Sequence, residues 1–329
     1  MKYTTLGRTG VTVSRLCFGC MSYGSSSWRP WILDGEEAAR PFFRAAVEAG
    51  INFFDTADGY SLGRSEEITG KMLKEFARRE EVVLATKVFF PMGPGPNMKG
   101  LSRKHVVAGC EASLKRLQLD TIDLYQIHRF DPAVPLEETL SALDLLVAQG
   151  KVRYVGASSG PAWKLMKALG LADLRGLPRF ASMQNHYNLL YREEEREMLP
   201  LCVAEGLAVV PWSPLARGLL AGTRPRPDDR TSTPRAASDD YAWKLYDHPS
   251  DIHVMEAARK VAAARGVEMA EVALAWLLSK SAVTAPIIGA TKLPHLQAAI
   301  RSLDLSLAED EIRALEAPYT PHAVRGWQG

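Results

Sequence analysis

The chain has 329 residues, 47% of them hydrophobic and 24% charged, and 40 Lys and Arg against 38 Asp and Glu leave a net charge of +2. This composition excludes a disordered, collagen-like or coiled-coil chain. So small a charge also speaks against nucleic acid or an anionic membrane as the main partner, because both need a concentrated basic excess.

The length suits one large α/β barrel spanning 1–329 as a single domain. A hairpin signal opens it: Lys2 to Leu6, a turn over Gly7–Gly10, then Val11 to Ser14, so 1–14 is read as a hairpin. Eight short apolar runs follow, at Leu16–Gly19, Ile51–Asp55, Val82–Val88, Ile122–His128, Val152–Ser158, Ala181–Asn185, Leu207–Trp212 and Ala285–Gly289. Most lack polar alternation, as strands buried on both faces should. Helical patterns fill the gaps. Gly35–Ala49 ends at Gly50, and its Pro41 either starts or kinks the regular helix. Ser102–Leu117 has Ser102 as N-cap, Leu136–Gln149 ends at Gly150, and Ile252–Arg265 and Ala270–Ser279 precede the last strand. Strands alternating with helices predict an α/β fold, a parallel (β/α)8 TIM barrel, with a doubly wound sheet as the runner-up. Residues 216–251 are polar, rich in Pro and Arg, yet keep Tyr241, Trp243 and Tyr246. They are read as a lid loop rather than a disordered one.

The four cysteines form no disulfide framework. Cys17 and Cys20 make a lone C-x-x-C, read as core thiols because Cys110 and Cys202 are isolated and complete no zinc site. The opening MKYTTLGRTG has no apolar leader, and no run of 18 apolar residues exists. A cytoplasmic protein without metal or membrane is expected.

Barrel active sites lie at the carboxyl ends of the strands. Those ends supply Asp55 with Tyr60 close behind, Lys87, His128, Ser158 and Ser159, Gln184 and Asn185, Trp212 and Ser213, and Gly289 to Lys292. A Lys ending an apolar strand needs a counter-charge, which Asp55 on the neighbouring strand can supply. A phenol beside that ammonium is expected to titrate below its usual value of about 10. His128 offers an N–H to orient a carbonyl oxygen. Such a set protonates an oxygen on which negative charge develops. Taken singly, each has a plainer role: a turn residue, a snorkelling lysine, a satisfied histidine, a packed ring.

The stretches NFFDTADGY, LATKVF and DLYQIHRFDP resemble the signatures of the aldo-keto reductases, and the resemblance runs from the opening hairpin to GATKLPHLQ. FGCMSYG, TKVFFPMGPGPN and MQNHYNLLYREEEREMLPLC are most similar to the aryl-alcohol dehydrogenase-like branch. The resemblance implies a barrel closed at its bottom by the hairpin, and hydride transfer between a nicotinamide cofactor and a small aldehyde or ketone. It makes Tyr60 the general acid, Lys87 and Asp55 its supports and His128 the substrate-orienting group. For the cofactor it implies Cys20 and Met21 near the nicotinamide and ribose, and Ser158, Ser159 and Gln184 on the carboxamide. Trp212 takes the place of the commoner stacking Tyr. Ser213, Leu215, Arg217 and Gly218 cover the pyrophosphate.

Strand eight departs from the pattern. Thr291 stands where an Arg is frequent, His295 replaces a Gln, and Ala298 and Ala299 replace an acid–Asn pair. Lys292 supplies a cation for a 2′-phosphate, so NADPH is expected over NADH. Trp28, Trp31, Phe89, Phe90, Arg129, Phe130 and the tail 317–329 (Tyr319, Trp327) are expected to line the substrate pocket. Aryl aldehydes suit the aromatics, and Arg129 leaves open anionic or sugar-phosphate carbonyls. Two other classes stay open: a nucleotide-sensing channel subunit, and an aldolase with a Schiff base on Lys87, which Asp55 argues against.

Overall fold

The computed structural model describes residues 1–327. Eight parallel strands are formed by Cys17–Gly19 (β1), Phe53–Asp55 (β2), Val83–Val88 (β3), Ile122–Ile127 (β4), Val152–Ser158 (β5), Phe180–Gln184 (β6), Ala208–Val209 (β7) and Ile287–Ile288 (β8). They lie side by side in the order β7-β6-β5-β4-β3-β2-β1-β8. The ring closes where Val209 bridges Val283 in parallel and the Ile287 N–H donates to the Pro211 carbonyl at 2.8 Å. This is the expected (β/α)8 barrel. Strands seven and eight are shorter than the apolar runs 207–212 and 285–289. Pro211 and Pro286 have no N–H to give a ladder, so regular pairing stops beside each.

Alternation along the strands divides the core in two. Cys17, Phe53, Val83, Ala85, Leu124, Ala208, Val210 and Ala285 pack inside the barrel. Their neighbours Phe18, Phe54, Leu84 and Tyr125 point outward, into the layer under the helices. Leu6 and Val13 of the hairpin join the interior set and plug its bottom. The hairpin turn enters so closely that a Cβ on Gly7, at φ +57°, would lie 2.7 Å from the Gly206 carbonyl oxygen. Only glycine fits there.

The outer layer includes α1 (Gly35–Glu48), α2 (Arg64–Phe76), α3 (Arg103–Leu117), α4 (Leu136–Ala148), α5 (Ala162–Arg175) and α6 (Met198–Glu205). The Ser102 hydroxyl caps α3, accepting the His105 N–H at 3.3 Å. Pro41 lies well inside α1, so it does not start that helix. The four cysteines are free and buried, and burial raises the Cys20 thiol to about 12, as befits a core residue.

Residues 216–251, read as a lid loop, are not irregular throughout. They carry α7 (Pro234–Ser238) and α8 (Asp240–Leu245), capped by the Thr233 hydroxyl and the Asp239 carboxylate. Asp239 has no exposed surface, and it accepts from Arg217 at 2.6 Å and Arg235 at 2.9 Å. Burial pushes this carboxyl up, but the two guanidinium groups outweigh it and hold the acid down at about 2. The chain ends through α9 (Asp251–Arg265), α10 (Met269–Ser279), α11 (Leu293–Arg301) and α12 (Glu309–Glu316). Among the described residues no helix is long and apolar enough to cross a membrane.

Candidate active site

The strand register brings the predicted tetrad together. Gly19, Asp55 and Ala85 lie level on β1–β3, and Lys87 and Gln126 lie level one inward step higher. Lys87 is fully buried. Its ammonium donates to Asp55 Oδ1 at 2.6 Å, the Thr56 carbonyl at 2.8 Å and the Tyr60 hydroxyl at 3.2 Å. An ammonium has three protons, and all three are used. Burial alone would lower the Lys87 pKa, but Asp55, with Tyr60, carries it above the ordinary value. A protonated, fully donating lysine has no lone pair for a Schiff base, which removes the aldolase reading.

Asp55 Oδ2 accepts from Gln184 at 2.8 Å and from Gln126 at 3.1 Å. Gln126 was not among the expected residues, yet it precedes His128 by two on β4. Strand alternation therefore aims both inward. Tyr60 follows β2 in a turn whose Ser61 and Leu62 both sit at φ +51°. The expectation for its acidity is corrected. Burial dominates and raises the phenol, although Lys87 pulls the other way. The ring meets His128 edge-on at 5.6 Å. Burial, with Lys87 and Arg129 nearby, holds His128 well below its usual pKa, so the imidazole is neutral, and its Nδ1 is buried without a partner.

Trp212 lies at the mouth with a braced inner face. His186 stacks on it at 4.3 Å and Tyr191 stacks on His186 at 4.3 Å, forming a three-ring column. His186 follows Gln184 by two, and strand period again would have pointed to it. Trp212 Nε1 donates to Ser159 Oγ at 3.0 Å, and Ser159 Oγ lies 3.5 Å from Ser158 Oγ. Ser159, Ser213, Ala216 and Arg217 all have positive φ, so backbone strain concentrates around this platform. Leu215 and Gly218 flank the strained turn, with Gly218 at φ +102°. Arg217 is not free, being paired with Asp239, but its Nε is buried without a partner.

Cys20 and Met21 lie in a short turn of helix after β1. Gly289 is exposed, Ala290 accepts the Tyr23 hydroxyl proton at 2.8 Å, and Thr291 is half-buried. Lys292 is exposed at the N-cap of α11, and His295 lies in the first turn of that helix.

The expected pocket lining divides. Trp28 stands 6.3 Å from Tyr60, and Phe90 packs edge-on against His128 at 4.7 Å with Phe89 behind it at 5.3 Å. Arg129 lies over Phe90 at 5.5 Å. Phe130 instead belongs to the core, wedged so tightly against Gly160 that a Cβ there would lie 2.3 Å from its ring. Trp31 is 7% exposed and seats Arg235 of the 216–251 segment on its face at 4.2 Å. Tyr319 bonds Glu193 at 2.7 Å, and Trp327 Nε1 reaches Glu194 at 3.5 Å, so both brace the tail against the turn before α6. The remaining tail positions, 328 and 329, lie outside the described residues.

The donor set fits a nicotinamide dinucleotide. A flat braced indole, hydroxyl and amide groups at one end, a strained turn with an unsatisfied guanidinium Nε, and a helix N-terminus with a lysine are the parts such a molecule needs. Comparison with known proteins agrees. Residues 15–319 match the model of the aldo/keto reductase family. The chain is 40% identical over 347 residues to a Schizosaccharomyces pombe protein that carries the name of an aryl-alcohol dehydrogenase, covering 98% of this chain and 97% of that protein. It is 40% identical over 345 residues to the versiconal hemiacetal acetate reductase of Aspergillus parasiticus, covering 98% of each. A Saccharomyces cerevisiae protein likewise named for aryl-alcohol dehydrogenase is 38% identical over 346 residues, covering 99% of each. A match this complete in family, fold and length means that the chain belongs to the aldo/keto reductase family, the NAD(P)-dependent oxidoreductases of carbonyl reduction.

Proposed function

We propose that this protein reduces aldehydes and ketones to alcohols, reversibly, with NADPH, and that Tyr60 is the acid that protonates the carbonyl oxygen. The observation that carries this reading is the three-way bond of Lys87 to Asp55, Thr56 and Tyr60. Because the ammonium donates to the phenol oxygen, it engages a lone pair there and leaves the phenolic proton for the substrate. As charge develops on the carbonyl oxygen, that proton moves to it, and the phenolate left behind faces the fixed ammonium. Neutral His128 donates one N–H to the same oxygen and orients it. When bound, the nicotinamide supplies the hydride.

Trp212 is the stacking platform, and Ser158, Ser159 and Gln184 hold the carboxamide. Gln184 also donates to Asp55, so cofactor seating and the charge behind Tyr60 share one side chain. Cys20 and Met21 border the ribose, and Ser213, Leu215, Arg217 and Gly218 cover the pyrophosphate. Gly289, Ala290, Thr291, Lys292 and His295 take the adenosine end. Lys292 stands where the positive end of α11 adds to its own charge, which favours a 2′-phosphate and hence NADPH, with NADH as the weaker alternative. Trp28, Phe89 and Phe90 favour aryl and other hydrophobic aldehydes. The 216–251 segment acts as a lid within one barrel domain, in a cytoplasmic protein.

The test is loss of reduced-nicotinamide absorbance with 4-nitrobenzaldehyde, run in parallel with NADPH and NADH. Turnover that is faster with NADPH is expected. No turnover with either cofactor overturns the reading.

A further inference from the structure

We propose that Arg129, with Tyr241 of the lid, forms a receptor for a carboxylate carried by the aldehyde substrate, so that acidic aromatic aldehydes are preferred over their neutral counterparts. The proposal rests on the reductase reading above and names its substrate class.

Arg129 directly follows His128 and is 9% exposed. Its Nη1 donates to the His128 carbonyl at 2.6 Å. Nε is buried without a partner, and no described carboxylate pairs with the group. Arg224, also buried, gives its Nη2 to the carbonyls of Pro227 and Asp229, and several partly buried arginines pair with acids. Arg217 and Arg235 share Asp239, and Arg116 binds Glu66 at 2.6 Å. A guanidinium stays charged at every physiological pH, so Arg129 cannot escape the cost of burial by losing a proton. A guanidinium with no carboxylate of its own presents the planar fork that matches both oxygens of a carboxylate.

The place of this fork is set by rings. Arg129 lies over Phe90 at 5.5 Å, and Phe90 packs on His128 at 4.7 Å. The cation is thus one ring away from the imidazole that meets the carbonyl, a span suited to a carboxylate across a benzene ring from an aldehyde. The lid closes the other side. Tyr241 lies 6.5 Å from Trp212 and 4.9 Å from the Arg217 guanidinium, and its hydroxyl is buried without a partner. The Tyr241 hydroxyl also comes within side-chain reach of the Arg129 guanidinium, so phenol and guanidinium can meet one acidic group together.

The anion could belong to the substrate or to the cofactor's phosphates, and the experiment separates them. kcat/KM is measured for 4-carboxybenzaldehyde and for methyl 4-formylbenzoate, in the wild type, Arg129→Met, Arg129→Lys and Tyr241→Phe, and the Kd for NADPH is measured by fluorescence quenching. The acid-to-ester ratio cancels any effect of Arg129 on Tyr60, because both aldehydes need Tyr60. The wild type should prefer the acid by about tenfold or more, the value of a charge-assisted pair. Arg129→Met should bring the ratio close to one. Arg129→Lys, which keeps the charge but not the fork, should recover part of it, and Tyr241→Phe should lower it by a smaller factor.

A wild-type ratio of one or less overturns the proposal without any variant. A ratio unchanged in Arg129→Met also overturns it, and if NADPH binding weakens in that variant the anion is the cofactor's phosphate. Turnover of neither aldehyde by the wild type is a different result, which removes the reductase reading itself.

Discussion

Asp55→Asn probes the pair on which the whole site rests, and its effect can be read in stability as well as in rate. Lys87 is fully buried, and Asp55 is 2% exposed at 2.6 Å from it. At an effective dielectric constant of about 20 that separation corresponds to about 6 kcal/mol of attraction, set against several kcal/mol of desolvation for each ion. Removing one partner of such a pair costs about 3–5 kcal/mol, because the other charge stays buried. For a chain of this size that lowers Tm by about 4–7 °C. The asparagine also meets a local conflict. If its oxygen turns to Lys87, its NH2 faces the amide donors of Gln126 and Gln184, which both used Asp55 Oδ2.

The pH dependence gives a sharper sign. In the wild type the Lys87 pKa is raised above its unfolded value of about 10.4, so this stabilisation is complete below that pH and is lost as pH rises through the folded value. Without Asp55, burial acts almost unopposed and takes the folded pKa below 10.4. The unfolded variant then binds more protons than the folded one, and its stability rises with pH through that interval. Urea unfolding followed by circular dichroism, at several pH values from 7 to 10, measures both effects. The deficit of Asp55→Asn should be largest near neutrality and shrink as pH rises, and Asp55→Asn/Lys87→Met should recover most of it. A deficit under about 1 kcal/mol at pH 7, or one that widens with pH, refutes the argument.

Tyr60→Phe should cut carbonyl reduction by about 10²–10⁴, the usual weight of a general acid, while the Kd for NADPH stays the same; undiminished turnover rules out the assigned role. The raised Tyr60 pKa keeps the phenol protonated across neutral pH, so kcat/KM for reduction should stay flat there and fall only on the alkaline side; an inflection near pH 7 assigned to Tyr60 contradicts this. Lys292→Ala should weaken NADPH about tenfold while leaving NADH nearly unchanged, and equal loss of both shows that it does not meet the 2′-phosphate. Asp239→Asn removes the charge and one of the two acceptor oxygens shared by Arg217 and Arg235, and should speed both NADPH release and proteolysis within 216–251; unchanged rates of both make Asp239 irrelevant to the lid.

Much of the fold could be read in the chain because barrel strands are buried on both faces. Each shows as an apolar run with polar residues at its carboxyl end, and Asp55, Lys87 and His128 were found there. Gln126 and His186 were missed although the same period-two logic places them inward. Single polar residues inside or after a run carry no mark of their own. The packing of 216–251 was less legible. Arg235 and Asp239 stand at i,i+4 spacing, but nothing local says that Arg217 will join them in a buried cluster or that Trp31 will become a seat for Arg235, because those contacts join residues farther apart in sequence.

The sequence by itself determined the alternation of strands and helices, the opening hairpin with its glycine turn, and the residue types at each strand end, since these follow from local pattern and backbone sterics. Only the tertiary structure decided which way competing forces resolve. Adjacency of Lys87 argued for a more acidic Tyr60, and burial reversed that sign. Arg129 and Phe130 looked alike as pocket residues and Arg217 was expected over the pyrophosphate, yet Arg129 is left without a counter-ion, Phe130 is locked against Gly160 and Arg217 is paired with Asp239. Desolvation and pairing depend on everything within several ångströms of a group, and that surrounding is assembled from the whole chain.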